Sequence, residues 1–122
     1  MPGLRPGIQK EETMLTSGQK EIREAFVAAL RSGRYKKARY ALRTADRYCA
    51  TGVLCDVFDR SLWDVHITLS AQHRRVPRAS FYAPCFVIEA AGLTPSQLSL
   101  IMNANDGGDK TFAEIADMVE AF

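Results

Sequence analysis

Cysteine, histidine and tryptophan are scarce in this chain of 122 residues, which holds three, two and one of them. Cys49, Cys55 and Cys85 cannot all pair within one chain, and three thiols are too few for a disulfide scaffold, so they read as reduced, buried thiols. Two histidines seven apart and three scattered cysteines match no compact zinc pattern. Eight glycines and five prolines are far from a collagen-like or low-complexity polypeptide. No window approaches the run of about 18 apolar residues that a membrane span needs. The opening Met1-Pro-Gly-Leu-Arg-Pro-Gly lacks the apolar core of a signal peptide, so the expectation is a cytoplasmic protein without a membrane partner. A Gly-rich phosphate loop, a dinucleotide fingerprint and a serine nucleophile elbow are all missing, and no cofactor is expected.

What is present is ordinary for one small globular domain: 47% apolar and 25% charged residues, with a formal charge of +2. Residues 1–15 carry two prolines and the run Lys10-Glu11-Glu12 without apolar periodicity, which predicts an N-terminal arm ahead of a single domain over 16–122. Ile22, Phe26, Ala29 and Leu30 recur at helical spacing and Ser32-Gly33 is a stop, predicting a helix over about 18–32. The basic stretch Arg34 to Arg47 reads as a short strand followed by a turn at Thr44-Ala45-Asp46. Ala50, Val53, Leu54 and Val57 form a second helical stripe. Gly52 in its interior costs about 1 kcal/mol relative to Ala, which points to another backbone passing close by.

Trp63, Val65, Ile67 and Leu69 alternate with polar residues, predicting a strand with one buried face, then a polar turn over 72–78 and a partner strand over 79–83. Three helices should finish the chain: one from Pro84 that ends at Gly92, one opened by Thr94-Pro95 and running to about Met102, and one opened by the capping box Thr111-Phe-Ala-Glu114. The fold class expected is α+β, a helix-dominated single domain with a small two- or three-stranded antiparallel sheet.

Charge is unevenly spread. Residues 1–48 hold eleven Lys and Arg against five acids, whereas residues 49–122 hold five against nine. The excess concentrates in Arg34, Lys36, Lys37, Arg39, Arg43 and Arg47, interleaved with Tyr35, Tyr40 and Tyr48. Guanidinium and ammonium groups engage phosphates, and tyrosine rings stack on bases, so these nine residues are the candidate partner-binding set. The partner would be an anionic macromolecule, a nucleotide or an acidic protein face. The plainer reading is a solvated basic segment paired with the acidic second half of the same molecule.

Two further constellations are weighed in the same way. Residues 103–114 set Asn103, Asn105, Thr111 and Glu114 at calcium-loop positions 1, 3, 9 and 12, but Gly107 at position 5 and Lys110 at position 8 fit badly. A turn followed by a capped helix accounts for them better. Cys49, preceded by Arg47, would have a lowered thiol pKa if exposed, and with His66 as base could serve a small cysteine-dependent enzyme. Burial at a helix packing surface is the commoner fate of such a thiol.

Several segments together resemble a set of short uncharacterised proteins encoded in bacteriophage and bacterial genomes. They are Ala28-Ala-Leu-Arg-Ser-Gly-Arg-Tyr-Lys-Lys, Arg47-Tyr-Cys-Ala-Thr-Gly-Val-Leu-Cys-Asp56, Ala91-Gly92-Leu93 and Asn105-Asp-Gly-Gly-Asp-Lys-Thr-Phe-Ala-Glu-Ile-Ala-Asp117. Members read like ALRSGEYKQ, FCCLGVLCDL, AGL and LNDSGKSFEEIADLIE; here Ala50 stands where they have a second cysteine and Thr51 where they have leucine. The resemblance implies a phage- or prophage-related accessory protein that binds a host component, including one that blocks host defence. The expectation is therefore a non-catalytic binding protein. Its alternatives are the Cys49–His66 enzyme and an assembly protein, a homo-oligomer in which the acidic C-terminal helix of one copy meets the basic segment of another.

Overall fold

The computed structural model describes residues 15–59, 63–64, 76–77, 83 and 85–122. The first helix, α1 (Ser17–Arg31), starts where the Thr16 hydroxyl accepts from Gln19 N–H and the Gln19 side chain accepts from Thr16 N–H. This capping box satisfies backbone donors that would otherwise be orphaned, in a first turn that carries no acid. Gly33, at φ +78°, then turns the chain away.

Three two-residue strands follow: β1 (Lys36–Lys37), β2 (Arg43–Thr44) and β3 (Arg47–Tyr48). Their order is β1-β3-β2, with β3 antiparallel to β2 and parallel to β1. The sheet is thus mixed, which corrects the antiparallel expectation. The Ala45-Asp46 turn makes β2 and β3 a hairpin, and the loop over 38–42 carries the chain across to the far edge, so that β1 meets β3 in the parallel sense.

Helix α2 (Ala50–Phe58) packs against α1 and the later helices and is buried all round from Ala50 to Asp56, rather than on one stripe. A helix apolar on every side belongs at the centre of a fold. β4 (Trp63–Asp64) and β5 (Val76–Pro77) pair in parallel, so the stretch read as a polar turn over 72–78 holds a strand. The remainder of the expected alternating strand, the partner strand over 79–82 and Pro84 lie outside the described residues, as does most of the arm.

Helix α3 (Cys85–Ala90) ends at Gly92, φ +67°, where a Cβ would lie 2.5 Å from Leu15. Arg23 of α1 donates to the carbonyls of Ala91 and Gly92 at 3.2 and 2.6 Å, and Gln19 donates to that of Glu89 at 2.9 Å, so α1 caps the end of α3. Helix α4 (Pro95–Asp106) has Thr94 and Gln97 as its capping box and runs a turn beyond the expected Met102. Helix α5 (Phe112–Ala121) opens on the predicted Thr111–Glu114 box.

One core joins the elements, with Phe26 and Leu30 from α1, Val53 and Leu54 from α2, Val87, Ile101, and Ile115 and Val119 from α5. Each such side chain contributes roughly 1.5–3 kcal/mol by leaving water. The result is an α+β single domain dominated by helices. Among the described residues no helix is long and apolar enough to cross a membrane.

Candidate cationic face

Between Gly33 and Gly52 the basic segment is held at four points. The Leu42 carbonyl sits where a Cβ on Gly52 would be only 1.8 Å away, and it accepts from Cys49 N–H at 3.2 Å. This is the close backbone approach expected from the glycine. Asn105, 1% exposed, accepts from Ala50 N–H at 3.0 Å and donates to the Ala38 carbonyl at 3.0 Å and to Asp106 Oδ1 at 2.8 Å. Asp106 Oδ1 also accepts from Tyr40 N–H at 3.2 Å. Finally Asp109 Oδ1 takes Lys37 Nζ at 3.3 Å and the Arg39 guanidinium.

Register sorts the side chains, because residues paired across a sheet share a face. Lys36, Arg47 and Thr44 form one row, all exposed; Lys37, Tyr48 and Arg43 form the other, all half-buried. On the inner row the Arg43 guanidinium lies 4.9 Å from the Tyr48 ring centre. Tyr35 meets Tyr48 edge-on at 5.0 Å, and its Oη donates to the buried Asp56 at 2.6 Å. Tyr35 and Tyr48 are therefore engaged in packing, while Tyr40 is 61% exposed at φ +63°. The outward set is Arg34, Lys36, Arg39, Tyr40 and Arg47, with Arg34 at the rim of an open cleft of about 450 Å³ beside Tyr35 and Asp56.

Internal pairing is partial. Lys36 meets Asp46 at 3.1 Å, Lys37 and Arg39 share Asp109, and Arg31 at the end of α1 bridges Asp117 and Glu120 of α5 at 2.7 and 2.9 Å. Two carboxylates, Asp46 and Asp109, thus hold three of the six cations in 34–47. The Lys36 ammonium keeps the Asp46 carboxyl below its usual pKa, and Arg39 followed by Lys37 does the same for Asp109. All these pairs are solvent-exposed and weak individually, so they orient side chains more than they stabilise the fold.

Cys49 takes the plainer of its two expected places, a helix packing surface. Cys49 is buried as the N-cap of α2; its Sγ accepts from Gly52 N–H at 3.4 Å and lies 3.2 Å from Thr51 Oγ1. Burial pushes its pKa up despite those hydrogen bonds, and pushes Cys55 up to about 12. Cys85, at the start of α3, is exposed, which corrects the expectation of three buried thiols, and His66 lies outside the described residues. The 103–114 stretch is the end of α4, a turn and a capped helix, with Asn105 committed to its three hydrogen bonds. Among the described residues no group of three His, Cys, Asp or Glu converges on a metal position. Asn105 and Asp106, the residues that position the face, carry no local signal of that role in the sequence, where Asn105 falls on a calcium-loop position and Asp106 on none.

A family model matches residues 18–122, from the start of α1 through α5. The chain belongs to the family described as a domain of unknown function, DUF8296. The DUF8296 match takes in every element that builds the cationic face. No curated protein and no solved structure matches the chain.

Proposed function

We propose that this DUF8296 chain is a non-catalytic binding protein that holds an anionic partner, a single-stranded nucleic acid, on the outward face of residues 34–47. The observation that carries this reading is the exposed pair Lys36 and Arg47 on one face of the sheet, in a segment whose Arg34, Arg39 and Tyr40 are exposed as well. Cations that track phosphates next to an aromatic that stacks a base are the two ingredients of sequence-tolerant single-strand binding. The Leu42, Asn105 and Asp106 anchors keep the backbone of the segment ordered before the partner arrives, which lowers the entropy lost on association. Cys49, spent on capping α2, supports a binding role over a thiol-dependent one. The resemblance to short phage and bacterial proteins supports reading the chain as an accessory protein of phage or prophage, acting on a component of the host cytoplasm.

The test is fluorescence anisotropy with labelled oligo-dT across a salt series. Among the described residues, Arg34 and Arg47 pair with no carboxylate, so replacing both with Ala removes charge without breaking an internal ion pair. The double variant should weaken binding and flatten the log–log salt slope by about 1.4, two single-strand phosphate contacts. A salt-independent affinity, or an unchanged one in the double variant, would overturn the proposal. Capture of a host protein that survives nuclease treatment, with no oligo-dT binding, would give the face to an acidic protein instead.

A further inference from the structure

Lys37 and Arg39 reach the same oxygen, Oδ1 of Asp109. Two cations on one carboxylate leave a surplus positive charge at that point. The Lys37 ammonium is fixed by a further 2.7 Å hydrogen bond to the Lys110 carbonyl, and its side chain is only 23% exposed. The anion that sits between the two cations is held differently. Asp109 is 69% exposed, follows Gly107 and Gly108, and has φ +54°, a left-handed conformation that non-glycine residues adopt at a cost. Tyr40, next to Arg39 in the chain and also left-handed, is fixed at its own N–H by Asp106 and is 61% exposed.

We propose that Lys37 and Arg39 form a phosphate seat which Asp109 fills as an internal stand-in, and that a nucleic-acid phosphodiester displaces that carboxylate on binding. This rests on the functional reading above and adds a regulatory element to it. Geometry supplies the reasons: a carboxylate and a phosphodiester are both monoanions with oxygen acceptors, and the guanidinium fork accepts either. The exchange keeps an anion on the seat at all times, so the two cations are never left facing each other without a counter-charge. It also raises the threshold for binding, because the incoming phosphate competes with a tethered group at high effective concentration. Displacement frees a side chain that has no second anchor among the described residues and needs only a side-chain rotation, the backbone on either side being held by Gly108 N–H on the Asn103 carbonyl and Lys110 N–H on that of Ala104.

The test compares Asp109→Asn and Asp109→Gly with wild type in the oligo-dT titration. Glycine accepts the left-handed backbone at this position, so Asp109→Gly removes the charge while relieving the conformation and serves if the asparagine variant folds poorly. Both variants should bind several-fold more tightly, with a salt slope steeper by about 0.7, one additional single-strand phosphate. Adding Arg39→Ala to either should erase the gain. If Asp109 only ties two loops together, both variants will bind as wild type does or more weakly, and the inference falls. In that event a continued loss of affinity in the Arg34, Arg47 double variant leaves the nucleic-acid reading standing; absence of oligo-dT binding in every protein removes both.

Discussion

Substituting Gly52 by alanine inverts an ordinary rule of helix stability. Gly52 is the third residue of α2, and alanine there would favour the helix by about 1 kcal/mol on propensity alone. Its Cβ, however, would lie 1.8 Å from the Leu42 carbonyl oxygen and 2.7 Å from the carbonyl carbon. Ordinary contact begins at 3.4 Å, so the Leu42 backbone must retreat by roughly 1.6 Å, the difference between those distances. That movement pulls the carbonyl off Cys49 N–H and drags a fully buried leucine with it. Overpacking costs about 1–3 kcal/mol and a stranded buried N–H about the same. Set against the propensity gain, the net loss is on the order of 3 kcal/mol, a large share of the roughly 5–15 kcal/mol that hold a domain together. Urea unfolding followed by circular dichroism measures it as a lowered midpoint. Gly18→Ala is the matched control: it lies in the first turn of α1, and among the described residues its Cβ would meet only Thr16 Oγ1, at 3.9 Å. It should leave the midpoint unchanged or raise it. A Gly52→Ala midpoint at or above wild type would refute the packing argument.

Asn105→Ala should lose about 2–4 kcal/mol, because it strands Ala50 N–H and the Ala38 carbonyl in a buried setting; urea unfolding is again the measurement, and a loss below about 1 kcal/mol contradicts the role. With Ellman's reagent at mildly alkaline pH, native protein should show one fast thiol, Cys85, with Cys49 and Cys55 reacting only as the chain opens. Fast reaction of native Cys49 would restore the nucleophile reading. Asp46, Asp109, Glu114 and Glu120 all have folded pKa values below their ordinary 3.8 or 4.5, so the unfolded chain takes up protons first. Their stabilisation is complete above those ordinary values and disappears as the pH falls through the lower folded ones. The thermal midpoint should therefore decline on acidification in that window, and added salt should shrink the decline for the three ion-paired groups.

Much of the helical framework was legible because caps and stripes are local signals: Thr94-Pro95 and the Thr111–Glu114 box name the starts of α4 and α5 without tertiary information. The Gly52 prediction also rested on one position, since a glycine inside an apolar helix implies a neighbour. Long-range pairing was not legible. Nothing local tells Lys36 that its partner is Arg47 in the parallel sense, and two-residue strands carry no alternation from which to infer a register. Asn105 misled for a related reason. A run of Asn, Asp and Gly suggests a loop, but Asn105, itself buried, makes three hydrogen bonds from within α4, which runs on through Asp106. The basic segment was legible as composition, whereas its division into an outer row and an inner row follows only from the sheet.

Seating Leu42 on Gly52 fixes the spacing of everything that lies between the two. An inserted or deleted residue in 43–51 would shift the hairpin turn, the thiol cap and the carbonyl perch out of phase together. Side chains along this stretch can accordingly be exchanged at less cost than its length can be altered, since the length alone decides whether the perch is reached.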